Sequence, residues 1–176
     1  VAEAPEIQPD DRDWTYVIQD GCAECGFTPQ NPETTGDRLR ASIPLWQDAL
    51  ADPAATQRPE PAVWSAAEYG CHVRDASRIF RERLDLMLTV DDPVFMNWDQ
   101  DVTAIEKAYF EQRPDVVAGE LASEVALTAA AFDAVRPEQW TRRGRRSNGS
   151  VFTVATFAVY FLHDIEHHVQ DVARPR

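Results

Sequence analysis

Apolar positions recur at helical spacing through most of the chain. From Thr35 to Ala49, in TGDRLRASIPLWQDA and the leucine that follows it, Leu39, Ile43, Trp46 and Leu50 are separated by four, three and four positions. That spacing places them on one helical face. Pro44 falls inside the run; it removes a helical donor and crowds the preceding turn, so a kink or a start near Ser42 is expected. A second helix is predicted from SAAE, where Ser65 and Glu68 have capping-box spacing. It continues through YGCHVRDASRIFRERLDLMLT, with His72, Ala76, Ile79 and Leu86 on one face and Arg83 interrupting it at the edge. DDPVFMNWDQD, residues 91–101, reads as a long loop with aromatic anchors. A third helix splits into a piece over 102–112 and a longer one that restarts at Pro114 and Asp115 and runs through Val135. Residues 140–149 read as a basic turn or small hairpin, with the Asn-Gly signal at 148–149 and Gly144 or Gly149 at the bend. The strongest helix is Val151–Val172, VFTVATFAVYFLHDIEHHVQDV, with Thr153 as its cap.

Four amphipathic helices joined by uneven connections predict an all-α four-helix bundle over residues 35–176. Residues 1–34 form an irregular N-terminal arm. Its first 13 residues are acidic and proline-containing and are expected to be loose; DWTYVIQDGCAECGF, more apolar, would tuck against the bundle. Residues 28–34 read as a turn and 51–61 as a proline-rich connection. The 176 residues suffice for one sizeable core. A net charge of −13 disfavours non-specific nucleic-acid binding, which depends on neutralising phosphates. No uninterrupted apolar run reaches membrane-spanning length, the start lacks a signal pattern, and a cytoplasmic location is expected. No Gly-rich nucleotide loop appears. Three cysteines do not make a disulfide framework.

All four histidines lie in two helical segments. His163 and His167 are one turn apart on one face of the last helix, and His72 lies two turns into the second. Three imidazoles could hold zinc or nickel with an open position, if those helices are neighbours. Against this stand a hydrogen-bonded core histidine at His72 and a solvated helix end at the HxxxH pair. His168 is turned about 100° from the pair and is expected to pack or to face Asp164. Gln170 returns to the metal face seven residues after His163, and Glu166 pairs by spacing with Gln170. Asp75 and Glu68 could orient His72. Asp164, not glutamate, follows His163, so the segment is not a HExxH metalloprotease motif.

The segments WSAAEYGCHVRD and FLHDIEHHVQDV resemble the DinB-like (DinB/YfiT) four-helix-bundle superfamily over about residues 35–172. The resemblance implies a similar bundle and a divalent metal, zinc or nickel, held by His72, His163 and His167. It further implies a thiol S-transferase using a low-molecular-weight thiol such as mycothiol, with a small-molecule electrophile as partner. The alanine-, arginine- and aspartate-rich style is similar to that of actinobacterial proteins, whose thiol is mycothiol.

A metal there would hold a thiol as thiolate for attack on an electrophilic carbon, or activate water for hydrolysis. A metal-binding, stress-associated protein without catalysis is the third reading. Cys71 reads as a small core residue. Trp98 and Asn97 would wall the pocket mouth or anchor the loop, Asp99 or Asp101 would accept a proton, and Tyr160 would face inward beside the metal. Glu106 is a further inward acid or part of a solvated face. Arg142, Arg143, Arg145 and Arg146 are candidates for binding an anion, or simply line a turn among acids. Cys22 and Cys25 form a CxxC. A structural zinc needs four ligands and no second CxxC or CxxH follows, so arm packing, a disulfide or redox role, and intermolecular metal binding stay open. An arm covering the metal pocket would gate substrate. Apolar stripes on the first or third helix would pair subunits into a homodimer.

Overall fold

The computed structural model describes residues 6–10 and 12–173. The expectations for the first five residues, position 11 and the closing Pro175 therefore lie outside the described residues. The architecture is an all-α four-helix bundle with an irregular N-terminal region. Its long helices are α2 (Thr35–Ala51), α3 (Ala66–Thr89), α5 (Pro114–Asp133) and α6 (Val154–Ala173), and short helices α1 (Val17–Asp20) and α4 (Gln100–Glu106) flank them. Each of α2 and α3 lies against both α5 and α6. Phe80 on α3 stacks on Phe157 and Phe161 of α6, while His72, two turns earlier, meets His168. The two helices therefore run antiparallel.

The local signals act as chemistry requires. Ser65 and Glu68 close a capping box at the start of α3, and Glu68 is also paired with Arg58. Pro114 occupies the first turn of α5, where its missing donor costs nothing. Leu39, Trp46 and Leu50 are buried along α2. Helix α2 runs from Thr35 straight through Pro44, so the helix does not start at Ser42. The buried apolar face of α3 is Ala76, Phe80, Leu84 and Met87; Leu86 is exposed. The expected stripe through Ile79 and Leu86 drifts off that face. Arg83 does work at the edge, donating to the Met96 carbonyl and lying over the Phe80 and Phe95 rings.

The predicted hairpin is real and larger than expected. Strands β2 (Arg143–Arg146) and β3 (Val151–Thr153) pair antiparallel, and β1 (Val94–Phe95) joins β2 in parallel. The first three residues of the expected last helix are therefore strand. Thr153 then caps α6, its hydroxyl accepting from the Thr156 amide at 3.1 Å. Gly149 (φ 95) supplies the bend. Gly144 lies in β2 with no room for a side chain, since a Cβ there would come 2.5 Å from Phe95. Phe95 and Phe152 are buried under this sheet. The sheet thereby fixes the strand end from which the loop carrying Asn97, Trp98 and Asp99 departs.

Candidate functional site

The last helix presents two i,i+4 pairs, offset by one residue, to two different neighbours. Asp164 and His168 face α3. The Asp164 carboxylate lies 3.4 Å from His72 Nε2 and 3.6 Å from His168 Nε2. The ligand atoms of His72, Asp164 and His168 all fall within 4.8 Å of one another. His163 and His167 turn instead toward the N-terminal arm, where their ligand atoms group with those of Cys22 and Cys25 within the same 4.8 Å. The expected trio of His72, His163 and His167 is thus divided between two clusters. His168, which the sequence set aside because it lies off the His163–His167 face, is the histidine that meets His72.

His72 is buried, and neither of its ring nitrogens has a hydrogen-bond partner. Trp98 stacks on it at 5.6 Å and Trp64 lies 5.5 Å away. An imidazole hidden from water with no hydrogen bond at either nitrogen is costly unless something else satisfies it. Asp164 and His168 supply the matching donors for a divalent ion, so the residues present fit a metal. His168 Nδ1 lies 3.0 Å from Asp171, leaving Nε2 toward His72 and Asp164. That carboxylate–imidazole arrangement orients metal-binding histidines.

The charges agree. Burial alone would raise the Asp164 carboxyl, but attraction to His72 and the bond from His168 hold it well below the usual range. Burial would lower His168, yet its bonds to Asp164 and Asp171 push it up to about 9. A metal entering this cluster must therefore displace the His168 proton. In the other cluster, burial and the neighbouring His167 bring His163 down to about 4, and burial lowers His167. Burial, with Cys22 beside it, raises the Cys25 thiol to about 11.

A cleft of about 720 Å³ is lined by His163, Asp164, His167 and His168, with Trp14, Trp64, Trp98, Asp101, Arg146 and Tyr160 among its walls; His72 lines an adjoining cavity of about 100 Å³ that shares Trp98, Arg146, Tyr160 and Asp164 with it. Trp98, Tyr160 and Asp101, expected near a pocket, all line this cleft. Asn97 and Asp99 line it too. Asp99 accepts from the Asp101 and Val102 amides and caps α4. Of the four arginines only Arg146 reaches the cleft, 3.5 Å from the Tyr160 hydroxyl. Arg142 donates to the Met87 and Val90 carbonyls at the end of α3, Arg145 is paired with Asp92, and Arg143 is exposed.

Two expected supports of the site lie elsewhere. Asp75, one turn beyond His72, faces away from it and accepts from Arg74, Lys107 and Tyr109. Gln170 is exposed, and Glu166 pairs with Arg38 on α2 rather than with Gln170. Asp171 was missed altogether, though its i,i+3 spacing from His168 is the kind of signal that marks an orienting carboxylate.

No curated protein matches the chain. Among solved structures, one from Bacillus subtilis is similar: YfiT, described as a probable metal-dependent hydrolase with an unusual four-helix bundle topology. The identity is 14%, the match covers 96% of this chain and 93% of that one, and the TM-score is 0.70. That likeness is one of fold. Residues 37–172 match the DinB superfamily, and on that match the chain belongs to it.

Proposed function

We propose that the cluster of His72, Asp164 and His168, where the large cleft meets the smaller cavity, is the centre of a metal-dependent hydrolase. The observation that carries the reading is the buried His72 ring, with no hydrogen bond at either nitrogen and the Asp164 carboxylate 3.4 Å from Nε2, beside an oriented His168. Two imidazoles and a carboxylate form a zinc-type donor set that leaves a position open for substrate or water. A divalent metal held there, zinc or nickel, would supply Lewis-acid polarisation and lower the pKa of water. The name given to the Bacillus subtilis neighbour points the same way.

The chain's own residues take the remaining roles. Asp171 holds His168 in the ligating orientation. Trp64 and Trp98 flank His72 and keep bulk water from its ring. Arg146 and Tyr160 form a cationic, hydrogen-bonding wall suited to an anionic oxygen of the substrate. Asp101, at the cleft rim on α4, is the carboxylate we assign to accept a proton. The trio of His72, His163 and His167 would have to draw its last two members away from the cysteines, and we favour the set already grouped.

Thiol transfer is the second reading, supported by the size of the cleft: about 720 Å³ accommodates a sugar-thiol such as mycothiol beside an electrophile. One experiment separates the two. The purified protein, loaded with zinc or nickel, is assayed against ester, amide and phosphoester panels and against a thiol–electrophile panel. Hydrolysis that needs metal and is lost in His168→Ala is expected. Thiol conjugation without hydrolysis would move the assignment to transfer. Full metal content and activity in both His168→Ala and Asp164→Ala would overturn the site.

A further inference from the structure

The second cluster is independent of that chemistry. It joins two motifs that lie 138 positions apart in sequence, CAEC at Cys22–Cys25 and the HxxxH at His163–His167. We propose that Cys22, Cys25, His163 and His167 form a closed Cys₂His₂ zinc site that fastens the N-terminal arm to α6.

The donor set is right in kind and spacing: two thiols from C-x₂-C and two imidazoles from H-x₃-H are a structural zinc set. The distances are right as well. Zinc–sulfur and zinc–nitrogen bonds of about 2.3 and 2.0–2.1 Å imply tetrahedral edges of roughly 3.3 to 3.8 Å. Cys22 Sγ already lies 3.8 Å from His167 Nδ1, and all four ligand atoms lie within 4.8 Å of one another. Small side-chain rotations would close the tetrahedron. His163 Nε2 is buried without a hydrogen-bond partner, an orphan that a metal would satisfy.

The backbone around the cysteines is shaped for the purpose. Cys22 and Phe27 pair as an antiparallel bridge, and the Gly26 amide donates to the Cys22 carbonyl at 2.8 Å. Gly26 takes a φ of 78, which lets the chain reverse directly after Cys25 so that both thiols project to one side. Trp14 covers the imidazoles, with ring centroids 5.3 Å from His163 and 5.0 Å from His167, and Phe27 meets the His163 ring at its edge. Four protein ligands under an aromatic cover leave no open position, which is the mark of a structural rather than a catalytic zinc. All three cysteines are free, so both thiols are available; binding would release their protons to solvent.

The arm has other attachments too: Ile7, Trp14 and Ile18 pack against the core, and the Gln8 amide donates to the Ala62 carbonyl. Val17, Cys22 and Phe27 are its buried apolar residues, and Arg38 bridges Phe27 and Glu166. The same arm brings Asp10, Arg12 and Trp14 to the wall of the catalytic cleft. A zinc at its base would fix that wall.

The test uses the full chain in a His72→Ala background, which removes a ligand of the cleft and leaves the second cluster whole. This variant should bind one equivalent of cobalt(II), with cysteinate charge-transfer absorption and the intense visible bands of a tetrahedral site. Adding Cys25→Ser or His167→Ala should abolish both. Should those variants not fold, alkylation of the wild-type chain decides: Cys22 and Cys25 should be protected with zinc present and modified after a chelator. Cobalt bound without thiolate absorption, no metal in the His72→Ala chain, equal alkylation with and without zinc, or a Cys22–Cys25 disulfide in zinc-supplemented protein would each overturn the site.

Discussion

Asp75→Asn removes the charge at the centre of a buried network that seats the cleft rim on α3. Asp75 is 2% exposed. Its carboxylate accepts from the Tyr109 hydroxyl at 2.7 Å, Lys107 Nζ at 2.8 Å and Arg74 Nε at 3.1 Å. Breaking a buried pair from one side typically costs about 3–5 kcal/mol. Two features reduce that here. Arg74 keeps Glu120 at 2.7 Å and Gln112 at 2.8 Å, and the Lys107 side chain is 37% exposed and can turn to water. The asparagine oxygen can still accept from Tyr109. A loss of about 2–3 kcal/mol is therefore expected, measured by denaturant unfolding with an unchanged slope. The pH dependence gives the sharper check. Burial would raise the Asp75 carboxyl, but its bonds from Arg74, Lys107 and Tyr109 outweigh that and hold it below the usual range. A depressed folded pKa contributes stability that is fully present above the unfolded value of about 3.9 and is lost as pH falls through the folded value. The gap between wild type and Asp75→Asn should therefore be constant near neutrality and narrow below about pH 4. A gap under about 0.5 kcal/mol at neutral pH, or one that stays constant into acid, would refute the network's role.

Two further substitutions test the frame around the site. Gly144→Ala would bring a methyl 2.5 Å from Phe95 and 2.8 Å from Met87, both buried, so overpacking should cost about 1–3 kcal/mol in thermal or chemical unfolding. Because β2 carries Arg146 to the cleft, the same variant should also weaken binding of anionic substrates. Ser65→Ala removes one half of the capping box at the head of α3, and a loss of about 1 kcal/mol is expected by the same assay.

Much of this was legible in the chain, for local reasons. The capping box at Ser65 and Glu68, the proline at the head of α5 and the Asn-Gly bend each act through neighbours a few residues away, and each appears as the sequence implied. What failed depended on partners distant in sequence. Strand β1 forms only because β2 lies beside it, and two residues of VFMNW carry no strand signal alone. The arginines of RRGRR divide among a helix end, an acid and the cleft according to where the sheet puts each one. The CxxC looked incomplete as a zinc site because the histidines grouped with it lie at the other end of the chain.

The choice between the two pairs on α6 is the most instructive case, because both have the same spacing and only helix rotation distinguishes them. The apolar residues that set the rotation are in the sequence. Phe157 and Phe161 stack on Phe80, which defines the face of α6 turned toward α3. At about 100° per residue, Asp164 and His168 fall within about 60° of those two rings, while His167 lies about 80–120° and His163 about 120–160° round. On α3, His72, Ala76 and Phe80 follow at intervals of four, so His72 continues the face that carries Phe80. An antiparallel pair registered by Phe80 against Phe157 and Phe161 must then bring His72 opposite Asp164 and His168. Counting the histidines favoured the HxxxH pair; following the phenylalanine stripe along the same helix selects DxxxH for α3 and leaves HxxxH for the cysteines.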